Sequence, residues 1–79
     1  MSTRKIIVYT LPDSLPCEAV KRFLKDRKAK FEERCVAYDE DARQELADKY
    51  NSRSTPTVVI DGEVLVGFDP ERLDQLLDQ

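Results

Sequence analysis

Histidine is absent from the 79 residues. The commonest general base and the commonest neutral metal ligand are lost with it, so Ser–His and Cys–His catalysis and mixed Cys/His zinc sites are excluded. Cysteine is scarce: Cys17 and Cys35 are the only two. No apolar run approaches the ~18 residues that a membrane span requires. No export signal precedes the first apolar stretch, so two cysteines make no secreted disulfide framework, and the chain is expected in the cytoplasm, off the membrane. Internal repeats and low-complexity linkers are missing as well. Residues 1–79 therefore read as one domain, near the lower size at which a single core suffices. The basic excess that a nucleic-acid partner demands is also lacking, since 13 Lys and Arg stand against 16 Asp and Glu. Lys21, Arg22, Lys25, Arg27, Lys28 and Lys30 are interleaved along one helix and read as a solvated face.

What is present is strongly patterned. Residues 4–10 form a β-branched and apolar run that predicts a central strand covered on both faces. Residues 11–14 are a turn broken by Pro12. From Leu15 to about Lys28, Val20, Phe23 and Leu24 recur at helical spacing, Pro16 is tolerated in the first turn, and Asp13 or Ser14 supplies the cap. Residues 31–38 alternate weakly and predict a polar edge strand. Residues 39–50 predict a helix capped by Asp39 or Asp41, with Ala42, Leu46, Ala47 and Tyr50 inside. Asp61-Gly62 between two β-branched runs is a hairpin signal, and Asp69-Pro70 opens a last helix whose inner stripe is Leu73, Leu76 and Leu77. The order is β-α-β-α-β-β-α: an α/β chain whose first two strands run parallel by the crossover rule and whose last two form an antiparallel hairpin.

The chemistry concentrates at the first strand-to-helix junction, T-L-P-D-S-L-P-C-E-A-V-K, residues 10–21. The segment V-Y-T-x-P-x-S-x-P-C-x-x-V-K-x-F-L resembles the active-site segment of glutaredoxins and glutaredoxin-like redoxins, which carry two cysteines in a C-x-x-C. Cys17 falls on the second cysteine and Ser14 on the first. Ser54-Thr55-Pro56 resembles the family's Thr-Val-Pro, and Gly67-Phe68-Asp69 its Gly-x-Asp. The likeness runs from Lys5 to Leu77, with three motifs in order. It implies the minimal thioredoxin-like fold, a four-stranded mixed sheet flanked by three helices, and thiol–disulfide oxidoreductase activity toward protein or glutathione mixed disulfides.

In that chemistry a sulfur at the helix cap is held as a thiolate by unpaired amides and the positive helix end, and attacks. A second sulfur three residues on resolves the mixed disulfide. A serine hydroxyl without a neighbouring base does not substitute for that thiolate. Two readings of Ser14 stand: it replaces a Cys or selenocysteine of the natural protein, or the chain is a variant that has lost dithiol exchange. On either, this Ser14 form is inactive or trapped. Read without the resemblance, Ser14 is an N-cap and Cys17 a small buried residue.

The resemblance further implies a cis Thr55–Pro56 bond presenting a strand edge to a bound peptide or glutathione, helped by Leu15, Pro16, Gly67, Phe68 and Asp69. Read alone, Pro56 starts a strand and Asp69 caps a helix. No bound cofactor or metal is expected, and glutathione is admitted only as an electron donor. Leu11 stands where glutathione-using members carry lysine, and Leu15-Pro16 lacks the usual Tyr. Gly-Phe-Asp is nearer to redoxins that reduce ribonucleotide reductase and draw on thioredoxin reductase. Cys35 lies on another element from Cys17, so no bond between them is expected. A monothiol using Cys17 is disfavoured by burial, and an iron–sulfur carrier by the missing first cysteine. The alternative class is a non-catalytic thioredoxin-fold domain that holds a peptide or thiol. A single copy of each motif suggests a monomer.

Overall fold

The computed structural model describes residues 4–78. Seven elements follow in the anticipated order: β1 Ile6–Thr10, α1 Leu15–Asp26, β2 Glu32–Cys35, α2 Glu40–Tyr50, β3 Thr57–Ile60, β4 Glu63–Val66 and α3 Pro70–Leu77. One sheet, ordered β2-β1-β3-β4, pairs β1 parallel to β2 and antiparallel to β3, with β4 antiparallel to β3. This is the α/β thioredoxin-like arrangement, with β2 at an edge as its polarity foretold.

Side chains on a strand alternate between faces, and β1 is buried along its whole length, so it feeds two cores. Ile6 and Val8 join Val58 and Ile60 under Val20 and Leu24 of α1 and Leu73 and Leu76 of α3. Ile7 and Tyr9 join Val59 under Ala42 and Leu46 of α2. Two helices therefore cover one face and one helix the other. The stripe read for α2 is half right: Ala42 and Leu46 are fully buried, Ala47 and Tyr50 only partly.

Several elements are shorter than their sequence runs, for local reasons. Helix α1 stops at Asp26 because Lys28 takes a left-handed conformation (φ 56°) and Ala29 N–H turns back to the Leu24 carbonyl. Strand β2 stops at Cys35 because the amides of Tyr38 and Asp39 both donate to the Cys35 carbonyl, which folds the chain into α2. The Asp61-Gly62 turn has positive φ at both residues (48° and 90°), the conformation a two-residue hairpin requires.

A polar seam ties α2 to the sheet edge. The buried Tyr9 hydroxyl donates to Glu45, and Arg34 on β2 reaches Glu45 at 2.7 Å, Asp39 at 3.4 Å and Glu32 at 3.9 Å. Burial, and then the facing Glu45 carboxylate, push the Tyr9 phenol above its ordinary value. Glu45 is lowered by that donated hydroxyl and by Arg34. Asp39 is lowered by the Ala42 amide it caps and by Arg34. Both carboxyls titrate below their unfolded values, so their contribution is present above the ordinary carboxylate range and is lost as pH falls through the folded values. The urea midpoint should therefore drop between about pH 5 and pH 3. Glu45→Gln should drop less over the same interval, and a slope equal to the parent's would show that Glu45 has no part in the acid response.

Candidate functional site

Register decides where the chemistry collects. Thr10, the last residue of β1, pairs with Cys35, the last of β2, and Tyr9 pairs with Thr57, the first of β3. Thr57 in turn pairs with Val66, the last of β4. The 11–14 turn with the head of α1, the 52–56 loop and the Gly67–Asp69 corner thus leave the sheet at one end. Three stretches spread between residues 11 and 69 meet there.

At that end Ser14 is the N-cap of α1, in extended conformation (φ −106°), and its Oγ accepts the Cys17 amide at 3.4 Å. Of the two cap candidates, Ser14 takes the role, while Asp13 sits at φ 57° in the preceding turn. Cys17, third residue of the helix, is 1% exposed and carries a free thiol. The Thr55–Pro56 bond is cis, with Pro56 buried and Thr55 partly so. The Pro56 carbonyl accepts the Gly67 amide at 2.7 Å, which fixes the Gly67 corner to the proline loop. The loop is braced from inside by the buried Ser52 and Thr57 hydroxyls, 2.9 Å apart, and by Thr57 Oγ1 donating to the Ser54 carbonyl. Gly67 has φ 84°, a conformation a side chain would strain, while the space around it is open.

Phe68 stands edge-on to Phe23 of α1 at 5.8 Å between centroids, so it packs against the domain while remaining partly exposed. Asp69 caps α3, its Oδ1 accepting the Arg72 amide at 3.1 Å. Around the opening Leu11, Pro12, Leu15, Pro16, Val66 and Phe68 expose apolar surface, with Leu15 84% exposed. The predicted positions Ser14, Leu15, Pro16, Cys17, Thr55, Pro56, Gly67, Phe68 and Asp69 all lie at this end of the sheet.

The family model for glutaredoxin matches residues 6–65. The chain belongs to the glutaredoxin family. Thiol–disulfide oxidoreduction is the class of chemistry that family supports. The solved thioredoxin-like protein BC3987 is 55% identical over 90% of this chain and 97% of that one, with a TM-score of 0.87. The glutaredoxin-like NrdH-redoxin from Escherichia coli is 29% identical over 91% and 93% of the two chains, with a TM-score of 0.81. A glutaredoxin-like 8.6 kDa protein in a rubredoxin operon of Clostridium pasteurianum is 30% identical over 74 residues, 94% of this chain and 99% of that protein.

Beneath this glutaredoxin end lies a polar array that the sequence reading missed. Thr10 Oγ1 donates to Glu33 Oε2 at 2.9 Å, and Lys21 Nζ sits 3.0 Å from the same oxygen and 3.1 Å from Glu18. Lys21 is raised chiefly by its hydrogen bond to Glu33. Burial would raise Glu33, but Lys21 and Thr10 outweigh it and hold the carboxyl down. Lys21 thus departs from the solvated face assigned to the basic run. Arg27 stays exposed as expected, while stacking 3.5 Å over Phe23 and bonding to Asp74 of α3 at 2.7 Å. The available signal was Thr10 itself, a hydroxyl ending an otherwise apolar strand, which must find a partner once buried. Among the described residues no helix is long and apolar enough to cross a membrane.

Proposed function

We propose that this chain is a redoxin-type thiol–disulfide oxidoreductase of the cytoplasm whose substrate is a protein disulfide, present here in an inactive or trapped Ser14 form. In this reading position 14 is the attacking position and Cys17 the resolving thiol. Leu15, Pro16, Thr55, Pro56, Gly67, Phe68 and Asp69 receive the substrate. One observation carries the reading: the side-chain atom of residue 14 accepts an amide at the head of α1, where an anionic sulfur would be stabilised by the same amide and the helix end. With oxygen there, attack on a disulfide stops while the receiving surface stays intact.

Two features support a protein substrate over glutathione. The rim is apolar, suited to a polypeptide, and Leu11 leaves no ammonium for a glutathione carboxylate. The thioredoxin-like activity profile named for the E. coli NrdH-redoxin supports thioredoxin reductase as electron source. The test is Ser14→Cys with a protein disulfide and two supplies in parallel, thioredoxin reductase with NADPH, or glutathione with its reductase. Turnover with the first and at least about tenfold less with the second is expected. Turnover on glutathione alone would reverse the donor assignment. A folded variant silent with both would leave the peptide-binding reading in its place.

A further inference from the structure

We infer that Phe23 is a positioning residue for protein disulfides, acting through the ring of Phe68. The inference rests on the reading above, in which Phe68 belongs to the surface that receives the substrate, and adds what holds that surface in shape. Phe23 lies in the third turn of α1, about 12 Å along the helix axis from Leu15, too far to meet a sulfur at position 14. Its ring packs against the core that joins α1 and α3 to the sheet. It also stands 5.8 Å from the Phe68 ring with the two planes at 74°, the edge-on geometry that aromatic pairs favour.

The backbone is fixed on both sides of Phe68. The Gly67 amide donates to the Pro56 carbonyl at 2.7 Å, and Asp69 accepts the Arg72 amide at 3.1 Å. Those bonds set where the Phe68 backbone stands, not where its ring points. The ring is 39% exposed, and a side chain in that setting moves among rotamers unless something packs on it. Phe23 supplies that packing. Arg27, one turn further along α1, braces Phe23 in turn. Its guanidinium lies 3.5 Å over the Phe23 ring and donates to both carboxylate oxygens of Asp74, at 2.7 and 3.3 Å. Asp74 belongs to α3, the helix that begins just after Phe68. The contacts therefore run from Phe68 through Phe23 and Arg27 to α3, and close on the corner where they started.

Leu15, Ala19 and Phe23 follow at four-residue intervals and form one ridge of α1. With Phe68 laid against its lower end, the ridge carries the apolar rim from the helix head down the flank of α1. A folded protein is wide enough to cover both, while a small disulfide meets the head alone. A partner that finds the Phe68 ring already set avoids the cost of ordering it, about three- to tenfold in affinity for one such side chain.

The experiment uses the Ser14→Cys chain, reduced beforehand and mixed in a single turnover with insulin or with hydroxyethyl disulfide, so that no reductase docks on the surface under test. Phe23→Leu in that chain should raise the half-saturating insulin concentration about three- to tenfold at an unchanged maximal rate. The rate with hydroxyethyl disulfide should stay within about twofold of the parent's. Phe23→Tyr, which keeps the ring, should restore the parent's value with insulin. Phe68→Ala should show the same rise as Phe23→Leu, and combining the two should add nothing further. A Phe23→Leu chain unchanged with insulin, slowed alike with both disulfides, or additive with Phe68→Ala would overturn the inference while leaving position 14 as the attacking position. A Ser14→Cys parent silent with both disulfides would strike the reading of position 14 and this inference together.

Discussion

Placing cysteine at position 14 should raise disulfide reduction by at least about a thousandfold over the Ser14 chain, since loss of a nucleophile costs an enzyme on that scale or more. The residue already sits in extended conformation at the head of α1, with its side chain turned to the Cys17 amide, so the substitution exchanges one atom at a position already aimed at the helix end. A sulfur there gains the helix end and the unpaired amides as partners for its anion. Cys17, three residues on, is 1% exposed, so its thiol is closed to a large substrate in solution. Adding Cys17→Ser to the same chain should therefore halt turnover after the first exchange and leave the substrate covalently attached, visible as a mixed disulfide by mass. Turnover below tenfold over the parent would remove position 14 from the attacking role. Attachment at another residue would do the same.

The second large effect is structural. Leu24 on α1 is fully buried in the core that joins α1 and α3 to the sheet, among Val8, Val20 and Leu73. Leu24→Ala should cost about 2–5 kcal/mol, the range for a core leucine whose cavity cannot collapse. Against a total stability of roughly 5–15 kcal/mol that is a large fraction. The melting midpoint of so small a domain should fall by roughly 10–30 °C. Leu15→Ala, removing the same atoms from a side chain 84% exposed, should stay within about 0.5 kcal/mol of the parent. Similar losses for the two would contradict the division between a structural core and an exposed rim.

Sequence carried the architecture well because its punctuation is local. Asp61-Gly62 has to be a two-residue turn, Asp69-Pro70 has to open a helix, and the apolar run of β1 has to be central, since each is dictated by a few neighbouring residues. The end of α1 was less legible because Lys28 occupies a left-handed position that glycine usually marks. The cis Thr55–Pro56 bond was legible only through family likeness, because an X–Pro dipeptide alone favours trans. The Thr10–Glu33–Lys21 array and the Arg34 hub were not legible at all. Both join residues from different elements, and a charged residue in a run of charges gives no sign of which distant partner it will meet. The candidate site itself was read residue by residue, since its motifs are short and contiguous even though the register alone brings them together.

Ser14 caps α1 whether or not the chain performs chemistry, and serine is among the best residues for a cap. Folding and reactivity thus make separate demands on one side chain, and a hydroxyl satisfies the first completely. Drift from serine to cysteine at this position gives up a favoured cap, so stability by itself holds the hydroxyl in place. In the proposed reading, one substitution then separates a reactive helix end from a silent one in the same surroundings.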